Sequence, residues 1–113
     1  MIADPINTST ASDQTFPKIQ VRFFGAIRVV INKVSAELDY IPDTTVSGLL
    51  HRLSDEYGNV FRDEVFDGKG PCGLRDDLMV TLNDMGVNHE KASETEVKPG
   101  DTVALYPTFP GGG

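Results

Sequence analysis

At 113 residues and a formal net charge of −7, the chain is about one domain long, and its charge repels the phosphate backbone of nucleic acids. Its 39% hydrophobic and 24% charged residues are those of an ordinary globular protein, and no apolar run approaches the roughly 20 residues of a membrane-spanning helix. The single cysteine, Cys72, excludes an internal disulfide and leaves no second thiol for a zinc or redox pair. Met1-Ile2-Ala3-Asp4-Pro5 has neither the basic region nor the apolar stretch of a secretory signal, so a cytoplasmic protein is expected.

Residues 1–17 are rich in Ser, Thr, Asp, Asn and Pro and are expected to form a flexible extension, followed by a domain over 18–108 and a tail over 109–113. The first strand is read from Lys18-Ile19-Gln20-Val21-Arg22-Phe23-Phe24, where Ile19, Val21 and Phe23 alternate with polar residues and would face a core. A second alternation, Ala36, Leu38 and Tyr40, follows a connection through Asn32 and Lys33 and would pair with the first as a hairpin. Pro42-Asp43-Thr44-Thr45 then reads as a stop and a helix N-cap. Val46, Leu49, Leu50, Leu53 and Tyr57 recur at the spacing of an amphipathic helix that Gly58 ends. Gly48 inside this helix costs roughly 1 kcal/mol relative to Ala, which marks it as a place where backbone packs closely against the sheet.

Between Asn59 and Asp77 the pattern weakens to one short helical turn at Phe61-Arg62-Asp63-Glu64-Val65-Phe66 and a mobile Gly-rich loop. A third strand is read at Leu78-Met79-Val80-Thr81-Leu82. The turn Asn83-Asp84-Met85-Gly86 would close it and Val87-Asn88 would begin a short return strand. After the polar region 89–98, Pro99-Gly100-Asp101 makes a turn into the last strand, Thr102-Val103-Ala104-Leu105-Tyr106. The element order gives an α+β class with one sheet and its helix packed across one face.

The side chains offer little chemistry. His51 and His89 lack a Cys, Asp or Glu at a metal-site or triad spacing, and both are assigned solvated or packing roles. Asp67-Gly68-Lys69-Gly70-Pro71-Cys72-Gly73 lacks the Walker spacing, and Cys72 has no placed base. The neighbouring carboxylates Asp55-Glu56, Asp63-Glu64 and Asp76-Asp77 are read as solvated charges. No metal and no tightly bound cofactor is expected. Elimination leaves the glycines Gly111, Gly112 and Gly113, which follow a core strand with no linker. Without Cβ atoms such a tail enters a channel too narrow for other residues. Its ionised carboxylate could attack the α-phosphate of ATP and become an acyl-adenylate, from which sulfur or an amine displaces AMP. The contrary reading of a bare Gly-Gly-Gly is a frayed end, and the adjoining strand weighs against it.

Taken together, Val21-Arg22-Phe23-Phe24-Gly25-Ala26-Ile27-Arg28, Thr45-Val46-Ser47-Gly48-Leu49-Leu50, Val97-Lys98-Pro99-Gly100-Asp101-Thr102-Val103-Ala104-Leu105-Tyr106 and the terminal glycines resemble the MoaD/ThiS family of ubiquitin-like sulfur carriers. The resemblance spans about Lys18 to Gly113 and implies a β-grasp fold with the first and last strands side by side. It further implies a carrier protein, not an enzyme. A ubiquitin-activating-type adenylyltransferase, MoeB/ThiF-like, would consume ATP to charge Gly113 as a glycyl-adenylate, and a sulfur donor would make the thiocarboxylate. The long segment between Tyr57 and Leu78 resembles the molybdopterin-synthase small subunit, which implies insertion of the tail into a MoaE-like large subunit and delivery of sulfur to precursor Z. Tyr106, Phe109 and Pro110 would then meet the partner from the sheet face and tail. The chain has three terminal glycines where the family usually has a pair, and the extension to Pro17 has no family counterpart. Other uses stay open: a modifier joined to lysines through Gly113, a sulfur carrier for thiamine, cysteine or tRNA thiolation, or a binding module with an idle tail.

Overall fold

Alternating residues make the first strand two-faced: in Lys18–Phe23 (β1) Ile19, Val21 and Phe23 are fully buried while Lys18, Gln20 and Arg22 face out. The computed structural model describes residues 17–107. After β1 come a helix Gly25–Ile31 (α1), a strand Ser35–Asp39 (β2), the helices Val46–Tyr57 (α2) and Asn59–Val65 (α3), and a 3-10 turn Pro71–Gly73. The strands Leu78–Leu82 (β3) and Met85–Gly86 (β4), a second 3-10 turn His89–Lys91 and the strand Thr102–Pro107 (β5) complete the order. The sheet runs β2-β1-β5-β3-β4. β1 and β5 lie side by side and parallel, with Val21 opposite Val103 and Phe23 opposite Leu105, and every other pairing is antiparallel. This is the ubiquitin-like β-grasp arrangement, with helices across one face of a mixed sheet.

The core lies between the sheet and α2, where Val46, Leu49, Leu50 and Leu53 are fully buried. Phe23 meets Phe61 and Tyr57 edge-on at 6.3 Å and 6.1 Å, linking β1 to both helices. The start of α2 is closely satisfied. Thr45 Oγ1 accepts from Gly48 N at 3.1 Å, Val46 N donates to Thr95 O and Ser47 N to Ala92 O, so three of the orphan amides of the first turn have partners. Gly58, with φ +79, ends the helix as expected.

Several expectations need correction. The connection between the first two strands holds α1, a two-turn helix closed by Asn32 in the left-handed region, so β1 and β2 pair antiparallel without a tight hairpin. The return strand is Met85–Gly86 and not Val87-Asn88. Asn83 and Asp84 both take positive φ, +51 and +70, and form a two-residue turn that brings Gly86 opposite Thr81. Gly48 does not abut the sheet, since the atom nearest to a Cβ there would be Thr45 Oγ1 at 3.3 Å. The short turn expected from Phe61 is helix α3, two residues earlier. The glycine loop after it is tied down, because Asp67 N and Gly68 N both donate to Gly73 O. Pro17 O accepts from Tyr40 N, which fixes the chain entry beside β2.

Candidate partner face and tail root

The side of the sheet turned away from the helices is built in rows by the strand registers. Opposite one another across β1, β5 and β3 stand Arg22, Ala104 and Thr81; one step along β5, Tyr106 stands opposite Met79. Phe24 follows β1 and donates its N–H to Leu105 O, and its ring stacks on Tyr106 with centroids 4.5 Å apart and planes 12° from parallel. With Met79, 47% exposed, these rings form an apolar row at the end of β5 where Pro107 leaves the sheet. The guanidinium of Arg22 lies over the Phe24 ring, 5.7 Å from its centroid, a contact worth about 0.5–1 kcal/mol at an exposed site.

Gly25 sits under the exit of the tail. Its φ is +59, and a Cβ added there would stand 2.9 Å from Pro107 Cγ. The backbone at the start of α1 thus lies against Pro107, and no residue with a side chain fits between them without a shift. Below the apolar row is a pocket of about 270 Å³ whose lining includes Arg22, Thr81, Asn83, Asp84 and Ala104. The Asn83 side chain is engaged through both its amide nitrogen and its oxygen, donating to Asp101 Oδ1 at 3.0 Å and accepting from Thr102 N at 2.9 Å. Thr81 is buried, and its Oγ1 has no hydrogen-bond partner among the described residues.

Of the residues singled out in the sequence, the structure brings Tyr106 into this row, half-buried against Phe24. Phe109, Pro110, Gly111, Gly112 and Gly113 lie outside the described residues, as does the extension before Pro17. The histidines are far apart in role. His51 stacks on Phe66 at 4.6 Å, while His89 Nε2 donates to Leu78 O at 2.7 Å. His51 thus has a packing role and His89 a hydrogen-bonding one. Asp77, read as a solvated charge, is instead held by Arg75, which donates to its two carboxylate oxygens at 3.1 Å and 2.9 Å and to Asp63 O at 2.9 Å. That bridge closes the loop onto the end of α3. Among the described residues no group of three or more His, Cys, Asp or Glu side chains is placed to hold a metal ion, and no helix is long and apolar enough to cross a membrane.

Sequence reasoning missed Phe24, Met79 and Arg22 as members of the outer face. A signal was present. In a strand, two aromatics in succession point to opposite sides, so a buried Phe23 puts Phe24 on the solvent side. What the face offers is an apolar row, the Arg22 cation beside it and a strand that leads out of the sheet beside both. Such a surface suits docking.

Comparison with known proteins agrees with this geometry. The ThiS family model matches residues 21–112. Small archaeal modifier protein 3 of Haloferax volcanii is 27% identical over 95 residues, covering 84% of this chain and 99% of that protein. Among solved structures, SAMP1 from Haloferax volcanii superposes with a TM-score of 0.68 at 24% identity, covering 84% of this chain and 99% of that one. A putative molybdopterin converting factor subunit 1 from Pyrococcus furiosus gives 0.62 at 22% identity, covering 82% and 99%. At these identities the two structures speak for the fold.

Proposed function

The chain belongs to the ThiS family of small ubiquitin-like carriers and modifiers, and from that premise we propose that it carries sulfur on Gly113 for molybdopterin synthesis. The observation that carries this reading is the place of β5. Paired on both sides within the sheet, with Val103 and Leu105 fully buried, it leads into the residues before the glycines from beside the Phe24–Tyr106 row. A rigid strand holds the root of the tail while the apolar row is free to dock. In the proposed reaction a Gly113 carboxylate oxygen attacks the α-phosphate of ATP bound by an activating enzyme, and pyrophosphate leaves. A sulfide equivalent from a sulfur donor then attacks the acyl carbon, AMP leaves with the bonding electrons, and a thiocarboxylate remains. In this reading ATP, catalytic side chains and the acceptor pocket all belong to partners: a MoeB/ThiF-like adenylyltransferase first and a MoaE-like large subunit second.

A second reading is supported by the similarity to small archaeal modifier protein 3. Here the same adenylate is attacked by a lysine amine of another protein, giving an isopeptide bond in place of the thiocarboxylate. The two share every step up to the acceptor. Intact mass after incubation with ATP, a family activating enzyme and a sulfide source tests the first. A gain of about 16 Da, sulfur for oxygen, is expected. Deleting Gly113, or adding one residue after it, is expected to abolish the gain with the thermal transition unchanged. Retained charging of either variant would overturn the assignment of Gly113, and Gly113 remnants on target lysines without a thiocarboxylate would favour the modifier.

A further inference from the structure

We infer that Arg22 is a specificity-determining residue of the docking face, seating a carboxylate side chain of the activating enzyme in the pocket below the Phe24–Tyr106 row. The inference rests on the carrier reading above and deepens it. Arg22 is exposed, and among the described residues it makes no hydrogen bond and no ion pair; its contact is with the Phe24 ring. A guanidinium carries five N–H donors in a planar fork and has no acceptor capacity, so a site that holds it over a ring and leaves its donors unused is complementary to an anion. Thr81, in the same row and 8% exposed, lines the same pocket, and its buried Oγ1 has no hydrogen-bond partner among the described residues. An entering carboxylate has two oxygens, and both can accept from the fork of one guanidinium.

The other end of the pocket sets the direction of entry. Asp84 stands on the turn between β3 and β4 and repels a second anion, so the partner's acid is confined to the Arg22 end, directly beneath the apolar row. The chain as a whole is strongly acidic and calls for a basic partner surface. One acidic side chain within that surface, meeting the cation beside the tail root, fixes the register in which the tail is presented. Misregistered docking brings Asp84 and the partner's acid together. Charge pairs of this kind act on partner choice and encounter more than on bulk affinity.

The test is steady-state adenylation of the full chain by a purified family activating enzyme, followed as ATP–pyrophosphate exchange against carrier concentration. Wild type is compared with Arg22→Glu, Arg22→Lys and Thr81→Val, with thermal denaturation reporting that each is folded. Arg22→Glu is expected to raise KM for the carrier about tenfold or more and to leave kcat at saturation within about twofold. Its KM should also lose part of the salt dependence of wild type. Arg22→Lys keeps the charge and loses the fork, and is expected to fall between. An unchanged KM for a folded Arg22→Glu, while wild type is charged normally, would overturn the role of Arg22 and leave the carrier reading standing. A shift in self-association of Arg22→Glu with KM unchanged would overturn it too, assigning the face to a second copy of this chain. If wild type itself is never adenylated, the carrier reading fails and this inference with it.

Discussion

Gly25 joins two demands at one residue. Its φ of +59 lies in the region where a side chain costs about 1 kcal/mol or more, and its bare α-carbon is what lets Pro107 lie close. Gly25→Ala is therefore expected to lower stability by about 1–3 kcal/mol. It should also displace the strand end from which the tail departs. Thermal denaturation measures the first effect. For the second, adenylation should show a loss in kcat beyond what the unfolded fraction explains, because the carboxylate is misdirected even when docked. A variant that loses stability and is charged at full rate once folded would confine Gly25 to a structural role. Phe24, next to it, illustrates what a single residue discloses in sequence. Its position after a buried Phe23 gives its side of the sheet, but its stacking on Tyr106 depends on a parallel pairing between residues more than 80 positions apart, and no local pattern encodes that.

Elements differed in legibility for physical reasons. Helix α2 has an N-cap, a 3.6-residue apolar stripe and a glycine stop, and its range was readable to the residue. Helix α1 has none of these. Only Ile27 of its seven residues is buried, and the run Val29-Val30-Ile31 carries the β-branched composition of a strand. Tertiary placement, between the glycine turn at Gly25 and the left-handed cap at Asn32, overrides that preference. The β1–β2 edge makes a prediction of its own. Lys18 donates to the Asp39 carboxylate directly across the ladder, a bond that holds Asp39 below its ordinary value of 3.8 and Lys18 above its ordinary 10.5. The Asp39 contribution is present above pH 3.8 and fades as pH falls through its lowered folded value. That of Lys18 is present below pH 10.5 and fades as pH rises through its raised one. Asp39→Asn is expected to melt at lower temperature than wild type across the plateau between, and the two curves should converge on the acid side. A gap in melting temperature that does not narrow as the pH falls through the acid range would assign the loss to something other than this pair. Both groups are exposed, so the gap is small.

For the molecule as a whole, class and sheet were within reach of the sequence because a single apolar alternation per strand suffices to place it. The candidate site was legible only in part. The glycines announced a tail, yet the face beside it mixes Arg22, Thr81, Ala104 and Tyr106, residues that share a surface only through register. The pairing of β1 with β5 has one more consequence. Since β5 supplies Val103 and Leu105 to the interior and bridges the two halves of the sheet, a chain that stops before it has an open core and two unpaired strand edges. A product ending at Asp101 is expected to be unfolded by circular dichroism and sensitive to protease, and a folded, protected fragment would contradict this. Damage that removes the tail together with its last strand thus destroys the competitor it would otherwise create. On the carrier reading proposed above, a broken copy would not occupy an activating enzyme as a dead-end decoy, because the strand that leads to the glycines also closes the fold, and proteolysis clears what remains.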